Sequence, residues 1–252
     1  MTDLINIHRA DGILTLVMNR PEKKNALTNE MYGALADALE GAEHDSEIRV
    51  VMIRGEGDMF TAGNDLSEFA AGSSGPRHVV RFIAALATAT KPLVAAVQGK
   101  AVGVGTTLLL HCDHVVLADD AQLITPFVNL ALVPEAASSL LLPARIGHVR
   151  AFAMFAVGDP VNASDALAWG LANSVVARSQ IDGTALAFAE RLANQPLGAL
   201  IATKKLMRAT GSITAHMDVE SGEFNARLAS PEAQEAFAAF AERRRPDFRK
   251  FA

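Results

Sequence analysis

The chain has 252 residues and a net charge of −5 at pH 7, and half of its residues are hydrophobic. This composition supplies a buried core and excludes a largely disordered chain, which needs low hydrophobicity and high net charge. The acidic balance gives no bulk attraction for nucleic acid or for an anionic membrane. The single cysteine, Cys112, excludes an internal disulfide and fits a reducing compartment.

No segment predicts a targeting address or a membrane anchor. Residues 1–6 lack the basic start and apolar run of a secretory signal, and residues 250–252 are not a peroxisomal tripeptide. The most apolar stretch, residues 92–110, is interrupted by Gln98 and Lys100, so it does not resemble a membrane helix. We therefore expect a soluble, cytoplasmic protein.

The first half of the chain alternates between strand and helix signals. Residues 4–17 predict a hairpin that turns at Asp11-Gly12. Thr28 is a candidate N-cap for an amphipathic helix, and the apolar run 50–53 is typical of a strand buried on both faces. Strands alternating with helices predict parallel crossovers and an α/β fold. Further helix and strand signals lie at 77–88, 93–97, 106–111 and 114–117.

The strand signals stop after about residue 195. The sequence therefore predicts an α/β core over residues 1–195 and a helical region over residues 196–252. The predicted C-terminal helices occupy residues 197–208, 213–228 and 232–243.

Two loops of small residues each follow a predicted strand. Residues 59–66 come after the buried strand at 50–53, and residues 98–105 come after the strand at 93–97 and open a helix. Small residues let backbone amides approach a ligand closely, and amides at a helix N-terminus carry partial positive charge. Strand–glycine turn–helix connections are common, so neither loop is diagnostic by itself.

Several further stretches are distinctive when taken together and in order: Asn19-Arg20-Pro21, Asn25-Ala26-Leu27, residues 60–66, residues 91–99, Cys112-Asp113, residues 166–171 and residues 240–244. They span almost the whole chain, which resembles the crotonase family of enoyl-CoA hydratases and isomerases. The resemblance implies a spiral of ββα units with a C-terminal helical trimerisation region. It also implies an acyl-CoA thioester substrate with no separate cofactor or metal, and a homotrimer or a dimer of trimers.

The resemblance assigns an oxyanion hole to the backbone N–H groups of Asn64 and Val104. Asn64 stands where the family more often has Ala, and Val104 stands where it has Gly. The larger side chains narrow the site, but both backbone N–H donors are kept. Such donors stabilise an enolate oxygen as its charge develops, and each is worth roughly 2.7–4 kcal/mol. Lys23 and Lys24 are candidates to pair with CoA phosphates. The expected substrate- and CoA-binding residues are Lys24, Ala26, Ala62, Gly63, Asn64, Asp65, Leu66, Gly103, Val104 and Phe127.

Hydratases of this family use two glutamates, and both are replaced here. Thr107 stands at the first position and Phe127 at the second. Water addition needs a base for the water and an acid for the carbon, and neither side chain supplies one. The sequence therefore disfavours a hydratase.

Glu135 is the candidate acid/base. It follows Pro134 in an apolar stretch near a predicted helix start, where burial would raise and the helix N-terminus would lower the pKa of its carboxyl. The residues alone leave open a catalytic base or a helix-start glutamate. Pro134-Glu135 followed by Ser138-Ser139 resembles the Δ3,Δ2-enoyl-CoA isomerase branch, which implies that Glu135 is catalytic.

One acid/base suffices for double-bond migration in fatty acid β-oxidation. We expect Glu135 to move a proton from C2 to C4 of a 3-enoyl-CoA and to produce a 2-trans-enoyl-CoA. The alternatives are a ring-epoxide CoA isomerase of aromatic-acid breakdown, whose branch carries Asp at the matching position, another enzyme of the family such as a hydratase, and an acyl-CoA-binding pseudoenzyme in which Glu135 points away from the pocket.

Two other segments invite a functional interpretation. Residues 111–114 read His-Cys-Asp-His, but adjacent residues at a helix–strand junction do not converge on one metal ion. The basic run 243–245 fits either a nucleic-acid or nuclear-import patch or the end of a C-terminal helix, and we favour the helix end.

Overall fold

The N-terminal hairpin starts the main sheet. The structure of the protein is a computed structural model, and it describes residues 2–70 and 78–251. Strand β1 (Ile5–Ala10) pairs antiparallel with β2 (Ile13–Met18). Asp11 and Gly12 both adopt positive φ, as the tight hairpin turn requires, so this predicted turn is confirmed.

Five strands of the main sheet run parallel. The sheet order is β1-β2-β3-β4-β6-β9, and all pairs after the hairpin are parallel. A smaller sheet of order β5-β7-β8 packs beside it. The remaining strands are β3 (Val50–Gly55), β4 (Leu93–Val97), β5 (Lys100–Val102), β6 (His114–Ala118), β7 (Gln122–Ile124), β8 (Val161–Asn162) and β9 (Ser174–Val176).

Helices connect these strands, and the described chain from Leu197 onward is helical apart from its connections. The Thr28 hydroxyl accepts a hydrogen bond from the Met31 N–H at 3.2 Å, which confirms the predicted N-cap. The helices are α1 (Asn29–His44), α2 (Leu66–Ala70), α3 (His78–Thr88), α4 (Val104–Thr107), α5 (Ser138–Ile146), α6 (His148–Val157), α7 (Ala163–Trp169), α8 (Ile181–Ala193), α9 (Leu197–Met207), α10 (Thr210–Leu228) and α11 (Pro231–Ala241).

Both faces of the main sheet are covered, as in an α/β fold. Along β3, Val51 and Ile53 join the larger core, whereas Val50 and Met52 point to the opposite face. That second face is closed by α8 through buried residues four apart, Ile181, Ala185, Ala189 and Ala193. The continuous apolar run predicted from sequence reflects this two-sided burial.

The structure differs from the predicted elements at two points near the site. The predicted helix at 106–111 is the short α4 followed by a 3-10 turn, Leu108–His111. Glu135 does not start a helix, because α5 begins at Ser138. The first residue of the predicted helix at 77–88 lies outside the described residues.

The described residues contain no helix that is both long and apolar enough to span a membrane. In the C-terminal basic run, Arg244 bonds to the buried Glu235 at 2.6 Å. Lys250 also pairs with Glu235. Arg244 and Lys250 therefore form ion pairs within the C-terminal region.

Leu16 provides a test of the larger core. Its side chain is fully buried in β2, so Leu16→Ala should leave a cavity and lower the free energy of unfolding by about 2–5 kcal/mol. Denaturant titration measures the change. The control is Leu206→Ala, since Leu206 is 88% exposed and should lose less than about 0.5 kcal/mol. Equal losses in the two variants would contradict this packing.

Candidate active site

A cavity of about 720 Å³ lies where the two glycine-containing loops meet. Nine of the predicted substrate-binding residues line it, and most of its wall is apolar. Lys24 and Glu135 are not among the lining residues. The predicted residues that line the cavity are Ala26, Ala62, Gly63, Asn64, Asp65, Leu66, Gly103, Val104 and Phe127.

Backbone hydrogen bonds hold the two loops together. The Thr61 N–H donates to the Lys100 carbonyl at 3.1 Å, and the Val102 N–H donates to the Thr61 carbonyl at 3.0 Å. Gly63 adopts a φ of +83°, and a Cβ there would lie 2.7 Å from the Val102 carbonyl oxygen. Glycine at position 63 therefore permits the close approach of the two loops, which places Asn64 beside the start of α4.

The backbone N–H groups of Asn64 and Val104 are both available to a ligand. Leu27 bonds to the residues on either side of Asn64, since its N–H donates to Gly63 and its carbonyl accepts from Asp65. Val104 is the first residue of α4, so its N–H has no partner within the helix. Within the described residues neither group donates to a protein acceptor. The geometry suits an oxyanion hole; their binding of a thioester stays a prediction.

The Asn64 side chain is held by Tyr32, which the sequence analysis did not single out. The Tyr32 hydroxyl donates to Asn64 Oδ1. Burial, and to a lesser extent the charge of Glu135, raises the pKa of Tyr32 well above its usual value. Tyr32 is the only tyrosine of the chain, and no motif around it indicated a role in a site.

Glu135 is partly buried and is not among the residues that line the cavity. Its Oε1 accepts a hydrogen bond of 2.6 Å from the hydroxyl of Thr107, a fully buried residue of α4. The same hydroxyl lies 3.4 Å from the carbonyl oxygen of Val104. Thr107 thus links the candidate acid/base to the candidate oxyanion hole, although the sequence suggested no role for it.

The environment of Glu135 favours its neutral form. Burial raises the pKa of Glu135 to about 7. The hydrogen bond from Thr107 acts in the opposite direction, and the negative charge of Glu220 raises the pKa further. A carboxyl with a pKa near neutrality suits a group that both accepts and returns a proton.

Phe127 closes one side of the cavity. Only 6% of Phe127 is exposed, and its ring packs against Phe155 with centroids 6.1 Å apart. An apolar wall therefore stands where the hydratase pattern has its second glutamate.

The entrance carries cationic side chains with different partners. Lys24 pairs with Asp58 at 2.7 Å, and both side chains are exposed. Arg20 bonds to Asp65 at 2.6 Å. Although burial opposes ionisation of Asp65, its bonds from Ser67 and Arg20 prevail and hold its pKa below the usual value. The Asp65 carboxylate is therefore occupied by hydrogen bonds from neighbouring residues. Lys23, rather than Lys24, lines the cavity.

Residues 111–114 also have separate partners. His111 Nε2 donates to the Ala136 carbonyl at 2.8 Å, whereas the Asp113 carboxylate bonds to the Leu93 N–H and to Lys204. The described residues contain no cluster of His, Cys, Asp and Glu that could hold a metal ion.

Thr107→Val tests the contact with Glu135. Valine keeps the size but removes the hydroxyl that stabilises the carboxylate, so the pKa of Glu135 should rise from about 7 by roughly one pH unit. A ¹³C NMR titration of the Glu135 carboxyl measures this. Thr88→Val, on the exposed end of α3, is the matched control. An unchanged or lower pKa in Thr107→Val would contradict the contact.

Comparisons with known proteins agree with this geometry. The profile of the enoyl-CoA hydratase/isomerase family matches residues 8–250. The chain is 33% identical to 1,2-epoxyphenylacetyl-CoA isomerase of Escherichia coli strain K12, covering 98% of this chain and 99% of that protein. It is 32% identical to enoyl-CoA delta isomerase 2 of Rattus norvegicus, covering 92% of this chain and 62% of that protein.

Solved structures show the same relationship. An enoyl-CoA hydratase/isomerase from Pseudoalteromonas atlantica T6c superimposes with a TM-score of 0.94 at 42% sequence identity, covering 98% of this chain and all of that chain. The resemblance inferred from the sequence motifs is confirmed, together with the α/β fold and its C-terminal helices. The chain belongs to the enoyl-CoA hydratase/isomerase family, the crotonase superfamily of acyl-CoA enzymes.

Proposed function

We propose that this protein is an isomerase that converts 3-enoyl-CoA thioesters to 2-trans-enoyl-CoA thioesters. The observation that carries the proposal is one carboxyl, Glu135, with a pKa raised to about 7 and linked through Thr107 to the backbone at Val104. The rat relative named as an enoyl-CoA delta isomerase supports the same reaction.

The reaction needs one group that moves one proton. Ionised Glu135 removes a proton from C2 of the substrate, and the thioester oxygen takes up negative charge as a dienolate forms. The N–H groups of Asn64 and Val104 stabilise that oxygen, each contributing roughly 2.7–4 kcal/mol. Protonated Glu135 then returns the proton at C4, the double bond moves to C2–C3, and the carboxylate is regenerated.

The cavity wall opposes the addition of water. Hydration requires a base to activate water and an acid to protonate carbon. Thr107 and Phe127 occupy the positions where hydratases carry their two glutamates, and the ring of Phe127 is packed against Phe155. An isomerase is therefore favoured over a hydratase.

A ring-epoxide CoA isomerase is the second candidate. The Escherichia coli relative has a name of this kind. The Asn64 side chain also favours it, because Oδ1 is bonded to Tyr32 while the amide nitrogen has no acceptor within the described residues. That nitrogen could donate to an epoxide oxygen. Incubation with 2-enoyl-, 3-enoyl- and aryl-epoxide CoA thioesters separates the candidates, since only the preferred substrate should turn over efficiently.

The proposal includes the form of the substrate and of the assembly. Coenzyme A enters as part of the substrate, with no separate cofactor, and Lys23 at the entrance is the cation best placed for its phosphates. We further propose a trimer or a dimer of trimers in the cytoplasm. Exposed apolar residues on α9 and α10, Leu206, Met207 and Val219, support an interface there.

Glu135→Gln tests the acid/base role. Glutamine keeps the size of the side chain but transfers no proton, so kcat for double-bond migration should fall by about 10²- to 10⁴-fold. The loss is measured as the rate of 2-enoyl-CoA formation from a 3-enoyl-CoA. Glu30→Gln, on the exposed face of α1, should keep full activity. Near wild-type turnover of Glu135→Gln would remove Glu135 from its role.

The pH profile gives an independent check on the same residue. The free enzyme must carry Glu135 as a carboxylate, so kcat/KM should fall as the pH drops through about 7, the pKa of Glu135. It should be measured at low substrate concentration, where kcat/KM reports the free enzyme. A profile that stays flat down to pH 5 would contradict the assignment.

A further inference from the structure

The turn that carries Glu135 is held by a buried carboxylate, Glu220, on helix α10 of the C-terminal region. Glu220 is 6% exposed and accepts hydrogen bonds from the backbone N–H of Ala137 at 2.6 Å and of Ser139 at 2.8 Å. It also accepts a bond from the Ser139 hydroxyl. Glu220 does not line the substrate cavity.

These bonds supply a cap that the local sequence lacks. Ala137 is the N-cap residue of α5, and an alanine side chain has no acceptor for the first N–H groups of a helix. The Glu220 carboxylate, which belongs to α10, acts as the missing acceptor. The partial positive charge at the N-terminus of α5 favours an anion at this position.

The same turn is conformationally strained. Ala136 and Ala137 adopt φ values of 61° and 54°, which are unfavourable for residues that carry a Cβ. Such a conformation persists only where neighbouring groups enforce it. His111 bonds to the Ala136 carbonyl on one side, and Glu220 bonds to the Ala137 and Ser139 N–H groups on the other.

His111 is a fixed donor in this arrangement. Burial first, and then the charge of Arg208, lower the pKa of His111 to about 3, so the ring is neutral. Arg208 donates to Nδ1, which leaves the proton on Nε2 for Ala136. The His111 bond therefore does not titrate near neutral pH, and Glu220 is the ionisable holder of the turn. Burial raises the pKa of Glu220 above its usual value, and its hydrogen bonds from Ser139 and Ala137 oppose that rise.

The charged and titratable groups that face Glu135 come from several elements. Thr107 of α4 donates to the Glu135 carboxylate, and Tyr32 of α1 lies within reach of its charge. The negative charge of Glu220 acts on Glu135 from α10. Glu220 itself faces His216, whose Nε2 lies 3.7 Å from Oε1, together with the Ser139 hydroxyl.

We propose that Glu220 is a positioning residue for the acid/base Glu135, acting through the strained turn at Ala136 and Ala137. The inference rests on the proposed function, and it assigns part of the placement of the base to the C-terminal helical region. The Glu220 charge also favours the protonated form of Glu135 and so makes the Glu135 carboxylate a stronger base for removal of the C2 proton. Loss of Glu220 should therefore change both the geometry and the titration of Glu135.

Glu220→Gln tests the proposal, with Glu223→Gln as the matched control on the exposed face of the same helix. Glutamine is nearly isosteric but removes the charge and one acceptor. We expect kcat for 3-enoyl-CoA isomerisation to fall on the order of tenfold or more, with little change in KM. The acid limb of kcat/KM should move to lower pH, opposite to its movement in Thr107→Val.

A ¹³C NMR titration of Glu135 makes the test independent of the substrate. The pKa of Glu135 should be lower in Glu220→Gln than in the wild type and in Glu223→Gln. If 3-enoyl-CoA is not a substrate, the proposed function fails, whereas a lowered Glu135 pKa still supports the link to Glu220. Unchanged kcat together with an unchanged Glu135 titration would overturn the link.

Ser139→Ala covers the case in which Glu220→Gln does not fold. This variant removes the hydroxyl bonds to Glu220 and to His216 Nε2 but keeps the backbone N–H donors of Ala137 and Ser139. We expect a smaller fall in kcat with unchanged KM and a shifted Glu135 titration. If Ser139→Ala matches the wild type in both measurements, the proposal is overturned.

Discussion

The burial of one carboxyl group is the constraint on which the account depends. Among the described residues, the Thr107 hydroxyl is the one hydrogen-bond donor to the Glu135 carboxylate. Burial without a full set of donors makes the charged form costly, so the group titrates near neutral pH. Thr107 of α4 and Glu220 of α10 act on the position or the charge of this group.

Much of the fold could be predicted from local patterns. The Asp11-Gly12 turn, the Thr28 cap and the apolar run in β3 each express a local physical rule, and the structure confirms all three. The family resemblance predicted which two backbone amides form the oxyanion hole, and that assignment stays a prediction. Glycine is needed where one loop approaches another chain segment closely. Gly63 shows this in its approach to Val102.

The rest of the site depends on contacts between residues distant in sequence. Glu220 lies 85 positions after Glu135, and nothing in the sequence of α10 marks it as different from Glu223. Tyr32 was equally inconspicuous, since a buried tyrosine fits an ordinary core. Thr107 was noted only as the replacement of a hydratase glutamate, because a threonine by itself does not indicate a hydrogen bond to a distant carboxyl. The predicted helix start at Glu135 was wrong, because consecutive alanines at positive φ delay α5 until Ser138.

The most direct measurement is a crystal structure of the protein with a non-reacting acyl-CoA bound. The account predicts the thioester oxygen at about 3 Å from the backbone nitrogens of both Asn64 and Val104. It also predicts the Glu135 carboxylate as the ionisable group nearest to C2 of the acyl chain. A thioester oxygen bound away from these nitrogens, or a Glu135 carboxylate remote from C2, would contradict it.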